Sequence, residues 1–139
     1  LSSNKELLIE NGGDLFLFVQ KSREVAIYAG NSPFSWKTGL RIQPGKAWGL
    51  CTSSGTVGPS YSQGQADAVV ILSPDPALAD AVATATANRI KKPFDLQKAI
   101  DFASQIPGIS GVVSICGSQM AVWGEIELVN LSSTEGGIK

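Results

Sequence analysis

The sequence predicts an α+β fold, a largely antiparallel sheet with two consecutive helices packed on one face. Three observations lead there. Short runs rich in β-branched and aromatic residues recur along the chain, separated by hairpin-length connections rich in Gly, Asn, Ser and Pro. The two helical patterns follow one another directly, with no strand between them. Strands therefore do not alternate with helices, as a doubly wound parallel sheet would require.

The elements follow in order. Residues 7–10 and 15–19 read as strands around an Asn11-Gly12-Gly13-Asp14 turn, and 25–28 as a third strand after the polar break 21–24. A loop rich in Asn, Ser, Pro and Gly spans about 30–35. Residues 37–42 and 47–52 read as strands on either side of a Pro44-Gly45 turn. From 53 to 65 the chain is almost all Gly, Ser, Thr, Pro and Gln, a long polar loop of the length that usually carries function or disorder. Residues 66–72 form a short β-branched run, a strand. Ser73-Pro74-Asp75-Pro76 then starts a helix, with Asp75 as cap and Pro76 at the first helical position, running to about Ile90. A second helix over 94–106 sets Leu96, Ala99, Ile100 and Ala103 on one stripe and stops at Pro107-Gly108. Strands at 111–116 and 120–129 complete roughly seven in all. Residues 1–131 form one domain, and 132–139 a polar, frayed tail.

Composition narrows the function. The 139 residues carry 11 Lys+Arg against 12 Asp+Glu, a net charge of −1, which leaves no positive footprint for nucleic acid. Histidine is absent, so no Ser-His-Asp triad, Cys-His dyad or HExxH zinc site can form within the chain. No apolar run approaches the ~20 residues of a membrane span, and the start lacks the pattern of a secretory signal, so a cytoplasmic protein without a membrane partner is expected. Cys51 and Cys116 lie far apart in sequence and form no CxxC pair; buried, reduced thiols are the expectation, with a disulfide or redox site as the alternative.

Candidate chemistry is sparse. Asp80 and Thr84 lie four residues apart and share a helix face, two oxygens suited to Mg²⁺; the plain alternative is a solvated Asp and a Thr bonded back to an i−4 carbonyl. The loop Thr52-Ser53-Ser54-Gly55-Thr56-Val57-Gly58 offers hydroxyls and open N–H groups for phosphate oxygens, or is a plain surface loop. Gly12-Gly13 at a hairpin serves positive φ angles or close approach to a ligand. Glu125 and Glu127 alternate on a strand, as solvated edge charges or as a carboxylate pair. Trp36, Trp48 and Trp123 read as core or interface anchors, and any of them could stack on a planar ring.

Three blocks in order, ENGGDLFLF at 10–18, CTSSGTVGPS at 51–60 and ADAVVILSPDPALADAVATATAN at 66–88, resemble the ApbE-like proteins, and within them an uncharacterised prokaryotic branch. The resemblance covers most of 7–130 and implies a T-fold type of two similar halves, of which this chain looks like the C-terminal one. It implies FAD or FMN and Mg²⁺ as cofactors, with FMN transfer to a protein Thr as the activity. Asp80 and Thr84 then match the metal-holding pair, and Gly12, Gly13 and Asp14 the turn beside the flavin nucleotide. Thr52, Ser53 and Gly55 match the family's Thr-Ser-Gly, with one residue inserted. The block that follows in flavin transferases begins with His; here Gly58-Pro59-Ser60-Tyr61 stand instead, which favours binding of a flavin nucleotide or another phosphate-bearing molecule, or a changed reaction, over FMN transfer. The rival class is a non-catalytic binding or assembly module. The small-residue helix face and the strand edges have no evident partner within the chain, so either an N-terminal half of the same protein or a second copy is expected to cover them.

Overall fold

All six residues of the strand Ala68–Ser73 are buried, which requires a sheet covered on both faces. The computed structural model, which describes residues 7–11, 14–30, 32–54 and 66–131, has that architecture. Its elements are β1 (Leu7–Asn11), β2 (Asp14–Phe18), β3 (Arg23–Ala26), β4 (Thr38–Ile42), β5 (Ala47–Ser53), β6 (Ala68–Ser73), α1 (Pro76–Ala87), a 3₁₀ turn (Pro93–Asp95), α2 (Leu96–Ser104), β7 (Gly111–Cys116), β8 (Gln119–Gly124) and β9 (Leu128–Asn130). A six-stranded sheet runs β1-β2-β5-β6-β7-β8, and a three-stranded sheet runs β3-β4-β9. Every pairing is antiparallel. The α+β class expected from the sequence is the class observed.

Alternation along the central strands sends side chains into two cores. On one face, Cys51, Val69, Ile71 and Val112 pack against Ala79, Val82 and Ala83 of α1 and Ala99, Ile100 and Ala103 of α2. On the other, Leu50, Val70, Leu72, Val113 and Ile115 pack against Leu40 and Ile42 of the small sheet, with Leu17 and Trp48. Helix α1 lies over β5 and β6, and α2 over β7 and β8. Sequence reasoning missed the second sheet. Its strands are short and far apart in sequence, and residues 120–129 read as one strand. The chain breaks there at Gly124, whose φ is +87° and where a Cβ would sit 2.3 Å from the Ser110 carbonyl oxygen; β9 then leaves to join β4.

Local chemistry seats α1 as the sequence indicates. Asp75 Oδ1 accepts hydrogen bonds from the Ala77 and Leu78 N–H groups at 3.1 and 3.2 Å, and Pro76 occupies the first turn. Ser73 Oγ donates to the Gly108 carbonyl at 2.7 Å and accepts from the Asp75 N–H at 3.0 Å, tying the helix start to the end of the α2 connection. The helix ends at Ala87, three residues before the expected Ile90, with Asn88 as its C-cap. Likewise α2 proper begins at Leu96, and Pro93–Asp95 form a 3₁₀ turn before it.

The approach of α1 to the sheet depends on Gly49. A Cβ there would lie 2.6 Å from the Pro76 Cα, a backbone atom that cannot swing aside. Gly49→Ala is therefore expected to destabilise the fold by about 2 kcal/mol, in the range of overpacked cores. A denaturant midpoint unchanged from wild type in urea unfolding would show that α1 can retreat without loss.

Candidate functional site

The charges of two carboxylates from separate elements act on one buried thiol. Asp14 opens β2 and pairs in register with Cys51 of β5, so both side chains lie on the helix-covered face of the sheet. Asp80 belongs to α1, which crosses the same strands. Cys51 is 1% exposed, and its Sγ lies 3.6 Å from the Pro76 carbonyl oxygen, with the Asp14 carboxylate as a second acceptor for the thiol proton. Burial pushes the Cys51 thiol up first. The hydrogen bond to Asp14, the Asp14 charge and the Asp80 charge push it further, to about 12. Such a thiol is neutral at physiological pH and is neither a nucleophile nor a thiolate ligand.

The residues singled out in the sequence divide around this point. Asp14, Ser53, Asp80 and Thr84 lie on the helix side. Thr52, one residue from Ser53, faces the other way by strand alternation. Gly12, Gly13 and Gly55 lie outside the described residues. Asp80 and Thr84 are exposed on the outer face of α1, and the Thr84 hydroxyl donates to the Asp80 carbonyl oxygen at 3.3 Å. The back-bonded threonine weighed as the plain alternative is thus present. Its proton is committed to the helix, which leaves the hydroxyl lone pairs open. Among the described residues no three His, Cys, Asp or Glu side chains stand close enough to hold a metal ion between them. A zinc-type site is therefore absent from that set, while the donors that remain, two carboxylates and hydroxyls, are hard oxygens of the kind Mg²⁺ takes in small number.

The other candidates have structural roles. Glu127 pairs with Arg41, whose second partner is Glu24 at 3.0 Å, and it accepts from Gln43 Nε2 at 2.8 Å. Arg41, Gln43, Trp48 and Glu127 line a cavity of about 290 Å³ on the side of the small sheet, so this polar cluster is paired within itself and lies away from Asp80. Trp48 is buried, whereas Trp36 and Trp123 are 56% and 38% exposed. Trp36 holds a φ of +63° and packs its ring at a tilt of 40° against that of Tyr28, with centroids 5.3 Å apart. Cys116 also sits in the helix-side core, pushed up by burial and then by the charges of Asp67 and Asp95. Neither cysteine is in a disulfide. They stand on β5 and β7 with β6 between, a separation of at least about 9.5 Å, beyond the reach of a disulfide.

The family described as AbpE bacteria matches residues 1–126, and the chain belongs to it. Similar proteins include UPF0280 proteins from three organisms. That of Methanocella arvoryzae is 46% identical over 123 residues, 88% of this chain and 50% of its own length. Those of Methanoculleus marisnigri and Methanosphaerula palustris are 44% and 42% identical over 120 residues, 86% of this chain and 48% and 49% of their own lengths. The chain thus spans about half the length of the curated relatives it matches. These matches correct the resemblance taken from the sequence blocks. The family is AbpE bacteria with UPF0280 relatives, and neither designation carries flavin transfer or membership of the flavin-transferase superfamily. Short blocks such as Gly-Gly-Asp and Thr-Ser-Ser-Gly are dominated by turn-forming residues, so they report local backbone geometry as much as descent. Among the described residues no helix is long and apolar enough to cross a membrane.

The protonation of Cys51 gives a measurable consequence. Its folded value near 12 exceeds the ordinary 9.0, so between those values the unfolded chain binds fewer protons than the folded one, and stability falls as pH rises through that window. Alkylation of Cys51 at pH 8 is expected to be roughly a thousandfold slower in the native protein than in urea, following the thiolate fraction. Asp14→Asn should accelerate the native reaction, since a hydrogen bond and a charge are lost while burial stays. Equal rates in the native variant and wild type would show that Asp14 does not govern the thiol.

Proposed function

We propose that the junction of β2, β5 and α1 binds a phosphate-bearing small molecule, of the nucleotide type that includes flavin nucleotides, together with Mg²⁺. The placement of Asp14 opposite Cys51, with the charge of Asp80 also acting on that thiol, carries this reading. The neutral Cys51 thiol offers the half-buried Asp14 carboxylate no compensating charge, and a divalent cation would supply it. Asp80 and Asp14 are the carboxylates that would hold the ion, with the Thr84 hydroxyl one helical turn from Asp80. When bound, Mg²⁺ neutralises phosphate charge while keeping several of its own waters. The Ser53 hydroxyl, on the Cys51 face of β5, is the donor this strand contributes toward phosphate oxygens.

A second reading rests on a separate observation. The outer face of α1 exposes Ala77, Asp80, Ala81 and Thr84, one charge among four residues, while α2 exposes Gln97, Lys98 and Asp101. That face carries less charge than the solvent face of an ordinary amphipathic helix. In this reading the helix packs against additional chain of the kind the relatives possess, and Asp80 meets a donor there.

Titration calorimetry with FMN and with ADP, with and without Mg²⁺, separates the two. Mg²⁺-dependent binding that is lost in Asp80→Asn, weakened about tenfold or more in Asp14→Asn, and weakened in Thr84→Val is expected for the ligand site. Binding unaltered by Asp80→Asn, or none in wild type with Mg²⁺ present, would reject it.

A further inference from the structure

We infer that the free edge of β8 is a self-association surface, on which a second copy of this chain adds its own β8 in antiparallel register about Val122. Strand β8 closes one end of the six-stranded sheet and pairs along its whole length with β7, from Gly111 opposite Gly124 to Cys116 opposite Gln119. Among the described residues no strand pairs with its other side. Proteins blunt such edges with Lys, Pro, bulges or very short strands. Both ends of the small sheet follow that practice. β3 carries Arg23 and Glu24, and β9 is three residues long. β8, with the sequence QMAVWG, has six residues, no charge and no proline. It also exposes a large apolar side chain on each face of the sheet, Val122 at 40% and Trp123 at 38%.

The register follows from the hairpin. Gly117 and Ser118 form a two-residue turn, with Gly117 at φ +62°. Such a turn closes on the hydrogen-bonded pair Cys116–Gln119, so the backbone groups of Gln119, Ala121 and Trp123 face β7, and those of Met120, Val122 and Gly124 face outward. The turn is itself pinned. Asp67 Oδ2 accepts from the Gly117 N–H at 2.7 Å, and Ser32 Oγ donates to the Gly117 carbonyl oxygen at 2.7 Å. The edge is therefore presented rigidly, which lowers the ordering cost of pairing.

A twofold axis normal to the sheet joins two such edges antiparallel and keeps all helices on one side. Centred on Val122, it sets Val122 opposite the partner's Val122 on the face of the small sheet. On the helix face it sets Trp123 opposite the partner's Ala121, a large ring over a small side chain, twice by symmetry. The outward groups of Met120 and Gly124 then bond across the pair. The helix layer is compatible with this arrangement. α2 straddles β7 and β8, so α2 and its copy stand two strand spacings apart, about 10 Å, the separation of packed helices.

Sedimentation equilibrium and cysteine cross-linking test the proposal. Wild type is expected at twice the 14.5 kDa of the chain. Val122→Lys, which brings two like charges to the axis at a position already solvent-accessible, is expected at half that mass with an unaltered far-UV spectrum. In Val122→Cys, mild oxidation is expected to give a covalent dimer, because opposed residues of a hydrogen-bonded pair lie about 5.5 Å apart at Cα, within disulfide reach. Gln119→Cys should stay monomeric on denaturing gels. A monomeric wild type, a dimeric and folded Val122→Lys, or no cross-link in Val122→Cys would each overturn the assignment.

Discussion

The six-stranded sheet is buried on both sides, and that double burial constrains the rest of the molecule. Val69, Ile71 and Val112 must face the helices while Val70, Leu72 and Val113 face the small sheet, so both sets are apolar and neither can be traded for the other. A slip of one residue between β5 and β6 would exchange the two cores and set the helix-packing small side chains against the wrong partners. Register is thus enforced from two directions. The opposition of Asp14 to Cys51 follows from it, because β2 pairs with β5 in the same ladder.

Close approach is the second consequence. The inner surface of α1 is made of Ala79, Val82, Ala83, Thr86 and Ala87, small enough for the helix to lie against β5 and β6, and Gly49 removes the last obstacle at Pro76. That proximity buries Cys51 beneath the first turn of α1 and brings the charge of Asp80 within electrostatic reach of its thiol. The chemistry of the candidate site is thus a product of packing. A bulkier helix would stand farther off, admit water to the thiol and separate the two carboxylates.

What the sequence made legible was local. The Asp75-Pro76 start, the apolar stripe of α2 and the fully apolar β6 each have a signature within a few neighbouring residues. The small sheet was not legible, because β3, β4 and β9 find one another across gaps of eleven and more than eighty residues and hold only four, five and three residues. At the site, Asp80 and Thr84 were visible by helical spacing, and Asp14 through its sequence block. Cys51 reads in the sequence as one of two buried thiols, and its place opposite Asp14 comes only with the β2–β5 register. The alternation that parts Thr52 from Ser53 was available from the strand itself, yet the loop composition drew both into one group.

The proposed ligand site and the proposed self-association edge occupy opposite ends of the sheet. Asp14 and Cys51 stand on β2 and β5, and β6 and β7 lie between them and β8. In a dimer joined at β8, the two β5 strands would be seven strand spacings apart, about 34 Å, with α2 and its copy between the two α1 helices. Neither copy could then contribute a residue to the other's Asp14–Asp80 junction. Edge pairing would also leave the outer face of α1 uncovered, so the additional chain carried by the longer relatives would still have that surface to meet. Ligand binding, edge pairing and coverage of α1 draw on different residues, and loss of one carries no requirement that the others fail.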